Sequence, residues 1–213
     1  MHHSRTHLFQ AFVALLFVCI APSSLMAQFT FTPQAGLNIN RINASKDIEG
    51  LSMESATYTS FGGRFGYIFL DKLEVEVGVL YNQRGGQWID DNPGGVDAKW
   101  LFKYLDIQPQ VEYKIWPQLG VYAGGYYGFH LRSDRNVDGD WEEDVPGLYE
   151  EDDFGISLGL RAYIGRIFLQ GQYDIGLNPI DQLTITNANG QSTETVDFKN
   201  RTLQLAVGYH FVF

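Results

Sequence analysis

The 213 residues contain one cysteine, Cys19, set in an apolar N-terminal run, so the rest of the chain has no thiol, no disulfide and no cysteine-based metal site. Val18, just before it, is not small, which excludes a lipoprotein acylation site. Beyond residue 27 no stretch approaches the ~20 apolar residues of a membrane helix, and clear helical periodicity is absent. Basic charge is scarce as well. Lys and Arg number 15 against 25 Asp and Glu, a net charge of −10 that opposes nucleic-acid binding. The slightly negative mean hydropathy suggests a soluble secreted protein. A sheet that alternates lipid-facing and interior residues averages to the same value, so this figure does not exclude a membrane barrel.

Residues 1–27 have the three-part plan of a secretory signal peptide: Arg5 near the start, the apolar run 11–21, and Ala27 as the small residue before the cut. Removing Arg5 with the leader takes the net charge from −10 to −11. The expected domain is 28–213, a single unit.

Glycine (23 residues) and aromatics (15%) are plentiful, and they fall into alternating patterns. The last twelve residues are the plainest. Leu203, Leu205, Val207, Tyr209, Phe211 and Phe213 share one face of a strand, and Thr202, Gln204, Ala206, Gly208 and His210 share the other. A chain end is usually frayed and polar. An apolar face that ends in aromatics instead fits lipid contact and an aromatic girdle. Seven more segments repeat this alternation, near 31–40, 59–69, 73–82, 104–115, 119–131, 154–164 and 167–177. Each has about the ~9–11 residues needed to cross a bilayer at a tilt.

Short turns at 71–72, 116–118 and 165–166 alternate with long connections near 41–58, 84–103, 133–153 and 178–198. That parity predicts an all-β, eight-stranded antiparallel up-and-down transmembrane β-barrel in the outer membrane of a Gram-negative bacterium. Both termini and the short turns are expected in the periplasm, with the long loops extracellular. The polar faces carry Arg64, Glu74, Glu76, Arg84, Asp106, Glu112, Arg161 and Asp174. Eight strands enclose only enough space for side chains, so these groups are expected to pair across a plugged lumen.

Several short motifs are distinctive: Tyr104-Leu105-Asp106-Ile107, Asp153-Phe154-Gly155, Tyr173-Asp174-Ile175-Gly176-Leu177-Asn178 and Lys199-Asn200-Arg201. With the leader and the eight strands, the chain resembles the PorT-like outer-membrane β-barrel family of Bacteroidetes over nearly all of its mature length. A Tyr-Leu-Glu-Ile-Pro pattern common in that family is altered here, because Gln108 takes the proline's place and Pro109 follows one residue late. The resemblance implies a fold and a location; it carries over no residue-level role in secretion.

One segment suggests a ligand. Residues 134–153 hold ten acidic residues and one basic residue, Arg135. Within them Asp134, Asn136, Asp138, Asp140 and Glu142, with Gly139 at the sixth place, have the alternate-residue oxygen spacing of a weak calcium loop. Val145 stands where the bidentate glutamate belongs, and the alternative is a solvated acidic loop. No cofactor is otherwise indicated. His130 and Ser157 both point to the interior, whereas a lipid-modifying enzyme needs its nucleophile and base toward the bilayer, so no enzyme is expected. The expected partners are outer-membrane lipid and, through the strand ending at Phe213, the barrel-assembly machinery; the sequence names no protein partner. Three roles follow: a structural or interaction protein acting through its loops, an accessory part of a secretion or transport machine, and, with least support, a lipid-modifying enzyme.

Overall fold

The computed structural model describes residues 28–46, 51–69, 71–90, 98–137, 139–145, 151–186 and 192–213. The leader, its cleavage point at Ala27 and Asp138 therefore lie outside the described residues. Twelve strands occur among those described: β1 (Gln28–Ala44), β2 (Leu51–Glu54), β3 (Ala56–Phe69), β4 (Leu73–Asp90), β5 (Ala98–Trp116), β6 (Leu119–Val137), β7 (Asp140–Glu142), β8 (Asp153–Ile164), β9 (Ile167–Gly176), β10 (Asp181–Thr186), β11 (Ser192–Tyr209) and β12 (Phe211–Val212).

Eight staves pair antiparallel with their sequence neighbours, in the order β1, β3, β4, β5, β6, β8, β9, β11, and β11 returns to β1. The sheet is thus a closed ring, which leaves no unpaired edge for lipid to meet. The seam is held from Gln34↔Gly208 to Ala44↔Phe198 and resumes at Phe31↔Phe211 and Thr30↔Val212 in the same register. The interruption lies beside Pro33, which has no N–H to give to a ladder. His210, in that gap, donates its backbone N–H to the Arg166 carbonyl at 2.7 Å. Phe213 does not fray: its N–H reaches the Phe29 carbonyl at 3.0 Å and its ring stacks on Phe211.

The expected faces hold stave by stave. Val75, Val77 and Val79 of β4 are exposed while Glu74, Glu76 and Asn82 are buried. Ile156, Leu158 and Leu160 of β8 are exposed while Ser157 and Arg161 are buried. In the middle of the staves the inside is therefore mainly polar and the outside apolar, the reverse of a soluble core. Aromatic contacts gather on the outer surface at the short-turn end of the seam, where Phe31 packs on Phe65 and Phe211, and Tyr67 on Phe29 and Phe69.

The short turns fall where the sequence put them, with Asp71 at φ 59° and Gly165 at φ 64° supplying the left-handed residues of two of them. The long connections differ from the loops expected. The β4–β5 ladder continues to Trp88↔Ala98, β2 adds to β4 through Leu51↔Asp90, β7 folds onto β6, and β10 onto β11. Much of the described part of 41–58, 84–103, 133–153 and 178–198 is thus strand that continues the staves. The physical reason is that a backbone leaving the barrel still needs partners for its N–H and C=O groups, and the neighbouring stave supplies them in register.

An arginine at Val77 or Leu158, both near mid-stave on the outer face, is expected to cost about 2–4 kcal/mol of folding free energy in a bilayer. Urea titration of the protein in vesicles, followed by tryptophan emission, measures this. A cost no larger than that of Gln at the same sites would mean that this face does not meet lipid.

Candidate functional site

The interior is built in layers by the inward residues of every stave. At the short-turn end Arg161 of β8 reaches across to β4 and β5. Its guanidinium donates to Glu76 at 3.1 and 3.0 Å, to Glu112 at 2.5 Å and to Gln170 at 3.0 and 3.2 Å. Arg161, Glu76 and Glu112 are all at 0–1% exposure, and the guanidinium also lies over the Tyr122 and Phe168 rings. Such a triad persists only because each charge has partners in fixed geometry. Gly120 makes this possible: a Cβ there would stand 2.0 Å from Glu112 Oε1. Beside the triad, Thr30 donates to Glu74 Oε1 at 2.5 Å, and Thr32 Oγ1 lies 3.1 Å from His210 Nδ1.

The middle layer centres on Arg64. It donates to Gln34 at 2.9 Å, Gln108 at 2.8 Å and Gln172 at 3.4 Å. Gln172 in turn donates to Asp174, which accepts from Ser157 at 2.6 Å, and Gln204 bridges Asn38, Ser60 and Asn82. Toward the long connections, Arg84 pairs with Asp106 and stands 3.6 Å from Asp153. Its guanidinium sits over the Tyr104 and Tyr126 rings at 5.2 and 4.6 Å. Asn82 and Asn200 complete the two carboxylates at 2.6 and 2.9 Å.

Beyond this layer the interior turns apolar. Ile42, Trp100, Phe102, Tyr104, Ile180, Val196 and Phe198 form one buried cluster at the long-connection end. Gly85, at φ +142°, lets β4 pass close to β5; a Cβ there would stand 2.0 Å from the Trp100 carbonyl. Sequence reasoning assigned 84–103 to a loop and so missed the cluster. The signal was present, since Trp100, Phe102 and Tyr104 alternate in phase with inward Asp106 and Gln108.

The acidic segment is divided in space. Asp153 is wholly inside the barrel, bonded to Tyr126 and Asn200. Asp152 Oδ1 accepts the His130 N–H at 2.9 Å. Of the candidate calcium ligands, Asp134 accepts from Arg132 at 2.7 Å and pairs with Lys103 at 2.6 Å. Burial acts to raise the Asp134 carboxyl, but hydrogen bonds from Arg132, Lys103 and the Asp144 N–H hold it down at about 2. Asn136 Oδ1 accepts the Gly139 N–H at 3.2 Å, closing the β6–β7 turn, and Glu142 pairs with Arg135 at 2.5 Å. Asp140 opposes Val137 in the same hairpin. Asp134, Asn136 and Glu142 are thus each turned to a different protein donor.

His130 and Ser157 are likewise apart in function: His130 Nε2 contacts Ser133 Oγ at 2.8 Å, and the Ser157 hydroxyl is held by Asp174. The one group of three or more potential metal ligands found among the described residues is elsewhere, at Glu74, Glu76 and His210.

Arg161→Met is expected to destabilise the barrel by about 3–5 kcal/mol, because it leaves Glu76 and Glu112 buried without their cation. Changing Glu76 and Glu112 to Gln in the same chain should recover most of the loss. Urea midpoints of the single and triple variants in vesicles provide the measurement.

The fold is similar to that of Neisserial surface protein A, with a TM-score of 0.50, 15% identity and coverage of 85% of this chain and 97% of that one. Ail, the attachment invasion locus protein of Yersinia pestis, aligns at TM-score 0.48 and 12% identity over 88% of this chain and 100% of its own. OprG from Pseudomonas aeruginosa aligns at 0.41 and 16% over 87% and 95%. None of the curated proteins matches the sequence. The family described as outer membrane protein beta-barrel domain matches residues 11–211. A closed ring of eight staves, apolar outside and charged inside, agrees with that match: the chain belongs to the outer-membrane β-barrel domain family.

Proposed function

We propose that this protein is a non-conducting outer-membrane barrel that acts through the hairpins at its long-connection end. The observation that supports the reading is the set of large buried side chains met along the interior. Arg161, Arg64 and Arg84 each span the interior in successive layers, and the Trp100–Phe102–Tyr104 cluster closes the end from which the hairpins project. A barrel filled in this way would act through its rims. The β6–β7 hairpin presents Trp141, 51% exposed, among Asp140, Glu142 and Glu143, a surface suited to a basic or aromatic-binding partner.

In this reading the long connections face outward and the termini and short turns face the periplasm, supported by the alternation of short and long connections around an even number of staves. The strand ending at Phe213 is the edge offered to the barrel-assembly machinery, supported by its aromatic alternation. The finer kinship with PorT-like proteins of Bacteroidetes rests on the motifs at 104–107, 153–155, 173–178 and 199–201 and belongs to the same proposal. An enzymatic role has no support from the placement of His130 and Ser157.

Reconstitution into planar bilayers tests the central point. The expected outcome is no stable conductance step. A steady step of porin size in the unaltered protein would overturn it.

Weak calcium binding at Asp134, Asn136, Asp138, Asp140 and Glu142 is a second proposal, motivated by the density of carboxylates. Calcium would have to displace Lys103 and Arg132 from Asp134 and Arg135 from Glu142. Protection of 134–153 from limited proteolysis by millimolar calcium, lost in Asp140→Ala, is the expected result. Cleavage indifferent to calcium would reduce the segment to a charged hairpin.

A further inference from the structure

We propose that Glu74, Glu76 and His210 form a site for a divalent metal ion of the zinc class, inside the barrel at its short-turn end. One ligand atom from each lies within 4.8 Å of the others, and all three residues are buried.

Two atoms carry the inference. Glu74 Oε2 and His210 Nε2 are both buried and without a hydrogen-bond partner among the described residues, and they face one another at 3.7 Å. That separation is too long for a hydrogen bond. It is close to the spacing of two ligands on one ion: at about 2.1 Å each and tetrahedral angles they stand about 3.4 Å apart. Buried polar atoms are nearly always satisfied, so a facing pair of orphans calls for a third body between them.

The surroundings orient both ligands. Thr30 holds the other oxygen of Glu74, at 2.5 Å. Thr32 Oγ1 lies 3.1 Å from His210 Nδ1; with Nδ1–H donating to that oxygen, Nε2 offers its lone pair toward Glu74 and the imidazole has the second partner that metal-binding histidines usually have. Tyr163 lies edgewise against the imidazole at 5.6 Å. Each oxygen of Glu76 accepts one hydrogen bond from Arg161 and keeps a second lone pair free.

The charge balance points the same way. Glu76 and Glu112 are bonded to the fully buried Arg161, and Glu76 also feels the charge of buried Arg64, whereas Glu74 is bonded to neither arginine among the described residues. The cation beside Glu74 is Lys114, partly exposed, whose Nζ stands 4.0 Å from Glu74 Oε2 and over the Tyr163 ring. Lys114 therefore competes with the ion and is free to swing toward solvent when one binds. The mixed nitrogen and oxygen donor set suits zinc, or cobalt as its spectroscopic substitute, better than calcium.

The test uses the full chain, folded in detergent, with His2, His3 and His7 changed to Ala so that His130 and His210 are its remaining histidines. Zinc is titrated in competition with a chromophoric chelator, and cobalt is followed by its visible absorption. The expected result is one ion per barrel, bound more than about tenfold more weakly in His210→Ala and in Glu74→Gln, unchanged in His130→Ala and tighter in Lys114→Ala. The cobalt band should vanish in His210→Ala. Folding of each variant is read from its gel mobility before and after heating, and Glu74→Gln, which keeps the side chain's shape, carries the test if His210→Ala does not fold. Binding no tighter than millimolar, or binding that survives both changes, would overturn the site.

Discussion

Inside a bilayer no water is present to pair a backbone N–H or C=O, so every such group must find its partner within the sheet. That requirement fixes the ring. It explains why the first and last staves meet over eleven consecutive register pairs, from Gln34↔Gly208 to Ala44↔Phe198, and why pairing resumes at Phe31↔Phe211 after the gap beside Pro33. It also explains the ordered C-terminus, since Phe213 contributes a backbone bond to Phe29. The same rule acts beyond the belt, where the staves run on as hairpins although lipid no longer enforces closure.

Closing eight staves creates a second constraint. The interior is too narrow for bulk water, yet the outward face has taken the apolar residues, so polar groups fill the inside and must satisfy one another. Three arginines do most of this, each in its own layer, with glutamines and asparagines between them. Aromatic rings serve as partners too: Tyr104, Tyr122, Tyr126 and Phe168 present their faces to the guanidiniums, which helps desolvated cations at no cost in charge. Six carboxylates, Glu74, Glu76, Asp106, Glu112, Asp153 and Asp174, are buried against these three arginines. The excess of carboxyl groups over arginines is the feature that links the interior to the proposed metal site. His210, a terminal-strand residue beside the seam, stands at that point.

The outward and inward faces were legible in the sequence because a strand's side chains alternate strictly, and because lipid on one side and a narrow interior on the other make opposite demands. Val75, Val77 and Val79 against Glu74 and Glu76 needed no structure to be assigned. The turns at 71–72 and 165–166 were equally plain, since a two-residue reversal needs a residue that tolerates positive φ. Legibility fell where those demands stop. Trp100 and Phe102 point inward although apolar, because at that end they pack into one buried apolar cluster. Asp153 reads as one more charge in an acidic run, yet its place opposite Gly128 puts it inside with Arg84.

By itself, then, the sequence determined the stave count, the two faces, the parity of the connections and the membrane setting, because each follows from local periodicity and from turn chemistry. Which charges meet was decided only by tertiary structure. Arg161 and Glu76 are 85 residues apart and Thr32 and His210 are 178 apart; their contact depends on the register of every ladder between them and on ring closure, and no local pattern encodes either. For the same reason Asp134 and Glu142, spaced in sequence like ligands of one ion, are turned to Lys103, Arg132 and Arg135, while Glu74 and His210, which no motif joins, face each other across the seam.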